Sequence, residues 1–456
     1  MTDLALSKSK TNAVPVHLVK KGALSKTNDL SDFAVSWAKA NSFDGAAEKI
    51  LKVPNDKGKL DCVLFGMGDG ANPMITGSLP TSLPDGKYRF MESDLDSDLA
   101  ALGWLLGAYS FNDYRSGKTG GAKLVLSSDV SQKDIRLKAE AVFLARDLIN
   151  TPANDLGPAE LENAIRKLGK EHKARVSVTK GDALLQKNFP MVHAVGRASA
   201  DAPRLIDLRW GRADAPKVTL VGKGVTFDSG GLNIKPGNSM ALMKKDMGGA
   251  ANTIALAKMI MEAKLPVRLR LLVPAVENAI SGNAFRPGDI LASRKGISVE
   301  IGNTDAEGRL ILADALALGD EEKPDLMIDM ATLTGAARVA LGPDLPPFYT
   351  DDDMLAEKIG SVSQEVYDPL WRMPLWPPYQ KMLASRVADV NHISTGGFAG
   401  SVTAALFLSR FVENAGSWVH FDIYGWVPSA KPWAPVGGEA QGIRTLFEVL
   451  SKRYIK

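Results

Sequence analysis

The stretch ISVEIGNTDAEGRLILADALAL, residues 297–318, places a polar turn between two apolar segments of different periodicity. Alternating apolar residues before the turn predict a strand at Ile297–Ile301, and the helical spacing after it predicts a helix at Glu307–Leu318. Strands that alternate with helices are typical of α/β folds built on a parallel sheet. The segment therefore indicates a fold class, and its turn indicates where to look for chemistry.

Two carboxylates and an arginine occupy alternate positions in that turn, at Asp305, Glu307 and Arg309. Alternate side chains of an extended segment project to the same side, so these three can converge on one point. Carboxylate oxygens are common ligands of divalent metals. The turn is therefore predicted to form part of a metal site.

The chain after Gly157 continues the same alternation of helix and strand. This rhythm predicts a mainly parallel central sheet flanked by helices, with ligands bound at the carboxyl ends of the strands. The predicted strands are Arg175–Val178, Arg204–Trp210, Lys217–Val221, Val267–Val273, Ile297–Ile301 and Asp325–Met330. The predicted helices are Ala159–Leu168, Ala250–Ala263, Glu307–Leu318 and Thr403–Val412.

A chain of 456 residues exceeds the size at which one hydrophobic core usually stops growing, so two domains are expected. A smaller N-terminal α/β domain, residues 1–140, is predicted to serve assembly or regulation. Residues 141–456 are predicted to form the larger catalytic domain. The strands predicted in the smaller domain are Val14–Val19, Asp61–Phe65 and Lys123–Leu126, and a long helix is predicted at Ile135–Asn150.

Charge and cysteine content favour a cytoplasmic protein. The 55 basic and 52 acidic residues leave a formal charge of +3, too small to indicate nucleic acid or membrane as a main partner. No apolar segment resembles a secretory signal or a membrane span. The single cysteine, Cys62, excludes a disulfide within the chain, and its apolar surroundings favour a packed core thiol over a nucleophile.

A second polar cluster, VGKGVTFDSGG at residues 221–231, follows a predicted strand. It lacks the spacing of a phosphate-binding loop, and its D-S-G-G would need an all-β scaffold to act as in serine proteases. The five histidines show no H-E-x-x-H spacing and are each expected to be structural. Lys223 and Asp228 therefore remain as candidates in this cluster, followed by Lys235.

Asp246 precedes a predicted helix and could be either a helix cap or a metal ligand. It resembles Asp228, Asp305 and Glu307 in standing where a strand gives way to a helix. Four carboxylates in one pocket would repel one another unless cations neutralised them. Two divalent metal ions are the simplest solution.

Four motifs, VGKGVTFDSGG, NIKPG, MKKDMGGAA and NTDAEGRL, occur in an order and spacing that resemble the leucyl aminopeptidase family of dinuclear metallo-exopeptidases. Similar stretches at Ala145–Pro158, Met330–Ala336 and Ala399–Leu408 extend the resemblance over most of the chain after about residue 140. The resemblance implies a metal-dependent aminopeptidase that releases leucine-like N-terminal residues from peptides. Of the motifs, NTDAEGRL is the most specific.

The resemblance implies five ligands for two divalent ions, Zn²⁺ or Mn²⁺: Lys223, Asp228, Asp246, Asp305 and Glu307. Asp228 and Glu307 would bridge the two ions. Lys223 can ligate only when neutral, so it would lose its proton beside the cations. Asp246 and Lys223 would serve the ion that binds the free α-amine of the substrate, and Asp305 would serve the other.

Two further residues, Lys235 and Arg309, are implied as catalytic groups. A water shared by the metals would become hydroxide and attack the scissile carbonyl, and Lys235 would stabilise the oxyanion. Arg309 would hold a bicarbonate that passes a proton to the leaving amine.

The family places the side-chain pocket at Met243, Thr332 and Gly335. This chain departs from it near Tyr424 and Trp426, where smaller residues are more usual, so the preferred N-terminal residue is not fixed by the resemblance.

The implied partners are peptides with a free N-terminus and further copies of the chain in a homohexamer. The alternatives are a DNA-binding or regulatory protein on the same fold, or a two-metal phosphatase. The near-neutral charge weakens the DNA-binding alternative. The complete set of predicted ligands weakens an inactive regulatory role, and a phosphatase would need no neutral lysine ligand.

Overall fold

The computed structural model describes residues 4–9, 11–27, 29–115 and 121–455. Its residues divide into two compact units. The first unit comprises Met1–Phe143 together with Val427–Val436, and the second comprises Leu144–Trp426 together with Gly437–Lys456. The division after Phe143 falls within a helix. The first unit also contains the short segment Val427–Val436, which is distant in sequence from the rest of that unit.

The first unit contains a five-stranded sheet in which most neighbouring strands are parallel. Its strands are β1 (Val14–Val19), β2 (Ile50–Pro54), β3 (Leu60–Gly66), β4 (Gly86–Phe90) and β5 (Ala122–Leu124), in the order β2-β3-β1-β4-β5. Its helices are α1 (Asp32–Ala40), α2 (Leu79–Ser82) and α3 (Ser97–Gly107), and α4 (Gln132–Asn150) crosses the division between the units. Two 3-10 turns lie at Leu24–Lys26 and Pro73–Ser78. Cys62 on β3 is buried, which confirms the predicted core thiol.

The second unit is built on a nine-stranded sheet. Its strands, with those of a smaller three-stranded sheet, are β6 (Arg175–Lys180), β7 (Arg204–Trp210), β8 (Lys217–Gly222), β9 (Gly224–Asp228), β10 (Arg268–Asn278), β11 (Ile290–Ala292), β12 (Ser298–Glu300), β13 (Leu326–Ala331), β14 (Pro347–Tyr349), β15 (Trp371–Arg372), β16 (Val390–Asn391) and β17 (Trp418–Asp422). Short strands β18 (Trp426–Val427) and β19 (Gly437–Gly438) lie where the chain leaves and re-enters this unit.

The helices of the second unit vary from one turn to four. They are α5 (Pro158–Glu171), α6 (Ala183–Gln186), α7 (Pro190–Gly196), α8 (Gly237–Met240), α9 (Gly248–Glu262), α10 (Gly308–Asp320), α11 (Gly335–Leu341), α12 (Asp353–Glu365), α13 (Gly400–Ser409) and α14 (Ile443–Tyr454). Three 3-10 turns lie at Met243–Met247, Thr304–Ala306 and Pro377–Leu383.

The large sheet has the strand order β15-β14-β17-β13-β8-β10-β7-β6, with β9 beside β10. The central strands β17, β13, β8 and β10 are parallel, whereas β7 and β14 pair with their inner neighbours antiparallel. The central strands are buried on both faces because they are apolar almost throughout, as at β13, whose six residues are all buried. The predicted α/β class with a mainly parallel central sheet is confirmed, and it brings the carboxyl ends of β8, β9, β13 and β17 to one edge.

The predicted helices exist but differ from the observed ones at one or both ends. The helix predicted at Thr403–Val412 runs from Gly400 to Ser409. It ends early because Asp320, at the end of α10, accepts the N–H groups of residues 413–415, which therefore turn away from the helix axis. Among the residues that the structure describes, no helix has both the length and the apolar character needed to cross a membrane.

Candidate metal centre and active site

One cavity in the second unit collects every residue predicted to carry the chemistry. Its volume is about 80 Å³, which is room for ions and water. The predicted residues that line it are Lys223, Asp228, Lys235, Met243, Asp246, Asp305, Glu307, Arg309, Thr332 and Gly335.

The first wall of the cavity is the segment that leaves β8. Lys223 joins β8 to β9, and Asp228 is the last residue of β9. Gly230 and Gly231 have φ angles of +88° and +61°, a region that glycine adopts without strain. Their turn reverses the chain, and the backbone N–H of Lys235 donates to the Ser229 carbonyl at 2.9 Å. Lys235 is thereby brought back to Asp228.

The second wall is the turn that contains Asp305. The expectation that this segment is extended was wrong, because Thr304–Ala306 forms a 3-10 turn and α10 starts at Gly308. The cause is local, since the side chain of Asn303 accepts the backbone N–H of Asp305 at 2.8 Å. Thr304 also exchanges hydrogen bonds with Asn233, which fastens this turn to the loop carrying Lys235.

The third wall holds Asp246. This residue belongs to the 3-10 turn before α9 and is 3% exposed. The hydroxyl of Thr332, just after β13, donates to its carboxylate and to its backbone carbonyl, each at 2.9 Å. Thr332 also uses its own carbonyl to accept the Lys223 ammonium at 3.0 Å. The loop after β13 thus fixes both groups.

Two lysines lie among the four carboxylates. Lys223 Nζ is 2.8 Å from Asp246 Oδ2 and 3.1 Å from Glu307 Oε1. Lys235 Nζ is 2.8 Å from Asp228 Oδ2 and also forms an ion pair with Asp305. The cluster is therefore held together by positive charge.

The three carboxylates at the centre of the cavity lie close together, and the pKa values of two of them are raised. One oxygen from each of Asp228, Asp305 and Glu307 lies within 4.8 Å of the others. Burial, together with the negative charge of Asp228, raises the pKa of Glu307 to about 8 and that of Asp305 to about 6. Positive charge placed between these oxygens would relieve their repulsion.

The lysines respond in the opposite sense to their surroundings. Burial by itself would lower the pKa of Lys223, but Asp246, Glu307 and Asp228 outweigh burial and raise it. The pKa of Lys235 is raised in the same way, chiefly by Asp228 against the effect of burial. Both lysines are therefore ammonium ions when the carboxylates are their only partners.

A glycine makes room for Lys223. A β-carbon at Gly308 would lie 2.7 Å from Lys223 Nζ, closer than real β-carbon contacts. Gly308 is the first residue of α10, directly after Glu307. The glycine of the NTDAEGRL motif therefore leaves the space into which the Lys223 side chain fits.

Arg309 lines the cavity from the second position of α10 and is 7% exposed. Its NH1 donates to the His392 carbonyl at 2.7 Å, while its Nε has no hydrogen-bond partner among the residues described. Burial lowers the pKa of Arg309 to about 10. His392 is buried and its ring bonds only backbone groups, as expected of a structural histidine.

The residues fit a divalent-metal site. Asp246 Oδ2, Asp305 Oδ1 and Glu307 Oε1 are buried and accept no hydrogen bond of good geometry from the part of the chain that the structure describes, although a lysine ammonium lies beside each. Buried carboxylate oxygens are normally paired. Oxygen donors in this number and proximity are those that divalent cations bind.

Comparison with known proteins places this geometry in a family. Residues 143–447 match the model of the cytosol aminopeptidase family, catalytic domain, and residues 14–127 match that of the M17 aminopeptidase, N-terminal domain. The chain belongs to the cytosol aminopeptidase family. The resemblance found in the sequence is thus confirmed.

Relatives with this family name span most of the chain. A probable cytosol aminopeptidase of Roseiflexus castenholzii is 40% identical over 366 residues, which are 76% of this chain and 75% of the relative. One of Rhodococcus jostii is 38% identical over 435 residues, which are 89% and 86% of the two chains.

Solved structures of the family have the same fold. The cytosol aminopeptidase of Coxiella burnetii matches with a TM-score of 0.94 and 45% identity, covering 98% of this chain and 99% of that one. The bottromycin maturation enzyme BotP, solved in complex with Mn, matches with a TM-score of 0.87 and 32% identity, covering 97% and 99%.

Membership of the cytosol aminopeptidase family confirms the predicted activity at the level of reaction class. The chain is a metal-dependent aminopeptidase, a hydrolase that acts on peptides and uses divalent metal. Neither the family models nor the relatives support the DNA-binding alternative.

Two cationic residues that line the cavity were missed by sequence reasoning. Lys245 and Arg338 line the cavity, and both lie over the ring of Tyr424, at 4.9 Å and 4.6 Å from its centroid. Burial lowers the pKa of Lys245 to about 8. Lys245 stands inside the quoted MKKDMGGAA motif, and Tyr424 had been noted as a departure from the family, but nothing in the sequence indicated that they meet.

Asp422, the last residue of β17, was also missed. Its Oδ1 accepts the backbone N–H groups of Leu333 and Thr334, at 3.1 and 3.0 Å. Its Oδ2 accepts the hydroxyls of Thr334 and Ser401, at 2.6 and 2.7 Å. Asp422 therefore holds the loop that begins with Thr332.

Proposed function

We propose that this aminopeptidase releases N-terminal amino acids through two divalent ions held by Lys223, Asp228, Asp246, Asp305 and Glu307. The observation that carries the proposal is the convergence of these side chains, from separate segments, on one cavity. Three buried carboxylate oxygens there accept no hydrogen bond of good geometry from the described residues and have only lysine ammonium groups beside them. The central trio of carboxylates would hold the ions between them.

The ions we propose are Zn²⁺ or Mn²⁺, and the Mn complex of the similar enzyme BotP supports the second choice. Divalent ions in such a site polarise the scissile carbonyl and lower the pKa of water towards neutrality. Lys223 would have to give up its proton to serve as a ligand, since an ammonium cannot donate a lone pair.

Asp246 is proposed to serve the amine end of the substrate. It is fixed by the hydroxyl of Thr332 and has a second oxygen without a hydrogen bond of good geometry. If Asp246 must bind a free α-amine, the enzyme can cleave only the first peptide bond of a substrate.

Lys235 is proposed to stabilise the oxyanion that develops on the scissile carbonyl. Its two carboxylate partners, Asp228 and Asp305, keep it positively charged. A fixed positive charge that points to a developing negative charge lowers the barrier because the site needs no reorganisation.

Arg309 is proposed to hold a bicarbonate. One of its terminal nitrogens is anchored on the His392 carbonyl, while its Nε is free of protein partners within the described residues. A bicarbonate there would supply a group that can carry a proton to the leaving amine.

The side-chain pocket is proposed at Met243, Thr332 and Gly335, which line the same cavity. Apolar and small groups of this kind suit a leucine-like residue. Assembly into a homohexamer and a cytoplasmic location are proposed from the family, and an assembly or regulatory role is proposed for residues 1–140.

One assay tests the reaction. The protein is mixed with Mn²⁺ or Zn²⁺ and offered leucine amide, its N-acetylated form and a phosphate ester. We expect hydrolysis of the free-amine substrate alone. Equal hydrolysis of the acetylated amide would overturn the proposed amine site, and preference for the phosphate ester would favour a phosphatase.

A further inference from the structure

Two cations and one aromatic ring form a cluster beside the proposed side-chain pocket. Lys245 Nζ and the Arg338 guanidinium lie 4.9 and 4.6 Å from the centroid of the Tyr424 ring. The backbone of Tyr424 is fixed because Gln441 Oε1 accepts its N–H at 2.9 Å. The cluster is therefore a built arrangement of two positive groups.

Both cations face the proposed pocket. Lys245 and Met243 belong to the same 3-10 turn, and both line the cavity. Arg338 lines it from α11, with its NH2 3.6 Å from where a β-carbon at Gly335 would stand. A substrate side chain that entered between Met243 and Gly335 would meet both positive groups.

Neither cation forms an ion pair with any residue that the structure describes. Lys245 is 3% exposed, and its Nζ lies over the Tyr424 ring. This Nζ makes no hydrogen bond to residues 121–455. The one hydrogen bond that Arg338 donates from its side chain within the described ranges goes to the Thr334 carbonyl, at 3.3 Å. Asp246 and Asp422 act on the Lys245 ammonium only over a distance, and neither forms an ion pair with it. A buried ammonium is stabilised by an anion in direct contact, and a substrate carboxylate would supply one to both cations.

We infer that Lys245 and Arg338 make this aminopeptidase accept peptides whose N-terminal residue carries a carboxylate side chain, glutamate above all. This inference rests on the proposed function, since it names the substrate class of that same pocket. The apolar parts of the pocket, with Met243, would contact the methylenes of the side chain, and the two cations would bind its carboxylate by charge-assisted hydrogen bonds. The reaction is ordinary hydrolysis, in which water adds across the first peptide bond to give free glutamate and the shortened peptide.

The experiment uses p-nitroanilides of glutamate, glutamine and leucine, because these substrates have no C-terminal carboxylate. Glutamine has nearly the shape of glutamate without its charge, so the ratio of their kcat/KM values isolates the carboxylate. We expect the metal-loaded enzyme to favour glutamyl over glutaminyl substrate by about tenfold or more, because a pocket built for one polar group rejects the analogue that lacks it.

The variants are K245M and R338M, with K245R and R338K as conservative rescues. Each methionine variant is expected to lower the glutamyl-to-glutaminyl ratio by about tenfold while leucyl hydrolysis persists, and the rescues should restore most of the ratio. K244M is the matched control. Lys244 is the preceding residue and also lies over an aromatic ring, that of Trp426, but its ammonium donates to the Asn150 carbonyl. Its loss should leave the ratio unchanged.

A binding measurement separates this inference from the proposed function. Calorimetric titration with L-glutamate and L-glutamine should show tighter glutamate binding in the wild type, with the difference lost in the K245M/R338M double variant. If leucyl anilide is cleaved but the glutamyl-to-glutaminyl ratio is one, the inference alone fails. If no free-amine substrate is cleaved, the proposed function fails. In that case the titration still tests the inference, which is overturned if L-glutamate and L-glutamine bind equally.

Discussion

Replacing Asp422 with asparagine is expected to slow turnover although this residue does not line the cavity. Asp422 fixes the loop after β13 through the backbone N–H groups of Leu333 and Thr334. The same loop carries Thr332, which bonds both Asp246 and Lys223. A shift of the loop would therefore move two of the proposed ligands.

The magnitude follows from the two carboxylate oxygens. In the D422N variant the retained oxygen can still accept both backbone N–H groups, but the amide nitrogen replaces the acceptor of the Thr334 and Ser401 hydroxyls. Hydrogen bonds to charged groups are worth about 1.5–3 kcal/mol each, and the amide can recover part of this by donating. We expect a loss of about 3 kcal/mol in the free energy of unfolding. Misplacement of reacting groups by about 1 Å costs roughly 100-fold in rate, which sets the expected fall in kcat.

The assay combines urea unfolding, bound-metal content and kcat for leucine amide. D320N is the matched control, because Asp320 is also buried and accepts several N–H groups from residues 413–415. It lies at the far end of α10 from Arg309, about 17 Å along the helix axis. D320N should lose comparable stability but keep its kcat. The reasoning would be refuted if D422N kept wild-type kcat and metal affinity, or if D320N slowed turnover equally.

Three further predictions test other groups. Lys235→Ala should lower kcat by about 100-fold or more with little loss of bound metal, because Lys235 is proposed to act on the oxyanion rather than as a ligand. An equal loss of kcat and of bound metal would contradict that role. Glu307→Gln should leave the metal-free protein at least as stable as the wild type, because it removes one of several crowded carboxylates. The variant should not show the rise in Tm that Mn²⁺ gives the wild type, and an equal rise measured by calorimetry would count against Glu307 as a ligand. Cys62 should resist iodoacetamide at pH 8 in the native protein and react fully in denaturant, because burial raises the pKa of its thiol to about 11; rapid native labelling would show an accessible thiol.

The sequence predicted the elements whose pattern is locally complete. The strands Val14–Val19 and Arg204–Trp210 have the predicted bounds, since their apolar runs end at clear polar or turn residues. Lys223 and Asp228 were readable for the same reason, since they lie at the ends of β8 and β9 in the large sheet. Asp246 lies in a 3-10 turn between α8 and α9, and Asp305 follows β12 of the smaller sheet, so their approach to the site depends on tertiary packing.

Other features depend on contacts that no local pattern encodes. The strand Gly86–Phe90 has little apolar character of its own and is set by pairing with β1 and β5. The segment Val427–Val436 joins the first unit although almost three hundred residues separate it from Phe143. Lys245 and Arg338 are neighbours because of the side-chain directions in a 3-10 turn and in α11, which sequence spacing does not relate.

Gly308 has a consequence for how such a chain can diverge. Its missing β-carbon is the space that the lysine 85 positions earlier occupies. Any lineage that enlarged residue 308 would have to shorten residue 223 at the same time, and either change alone would spoil an otherwise intact pocket. The two positions are therefore expected to change together, and a graft of NTDAEGRL onto another α/β scaffold would also need the strand end that supplies the lysine.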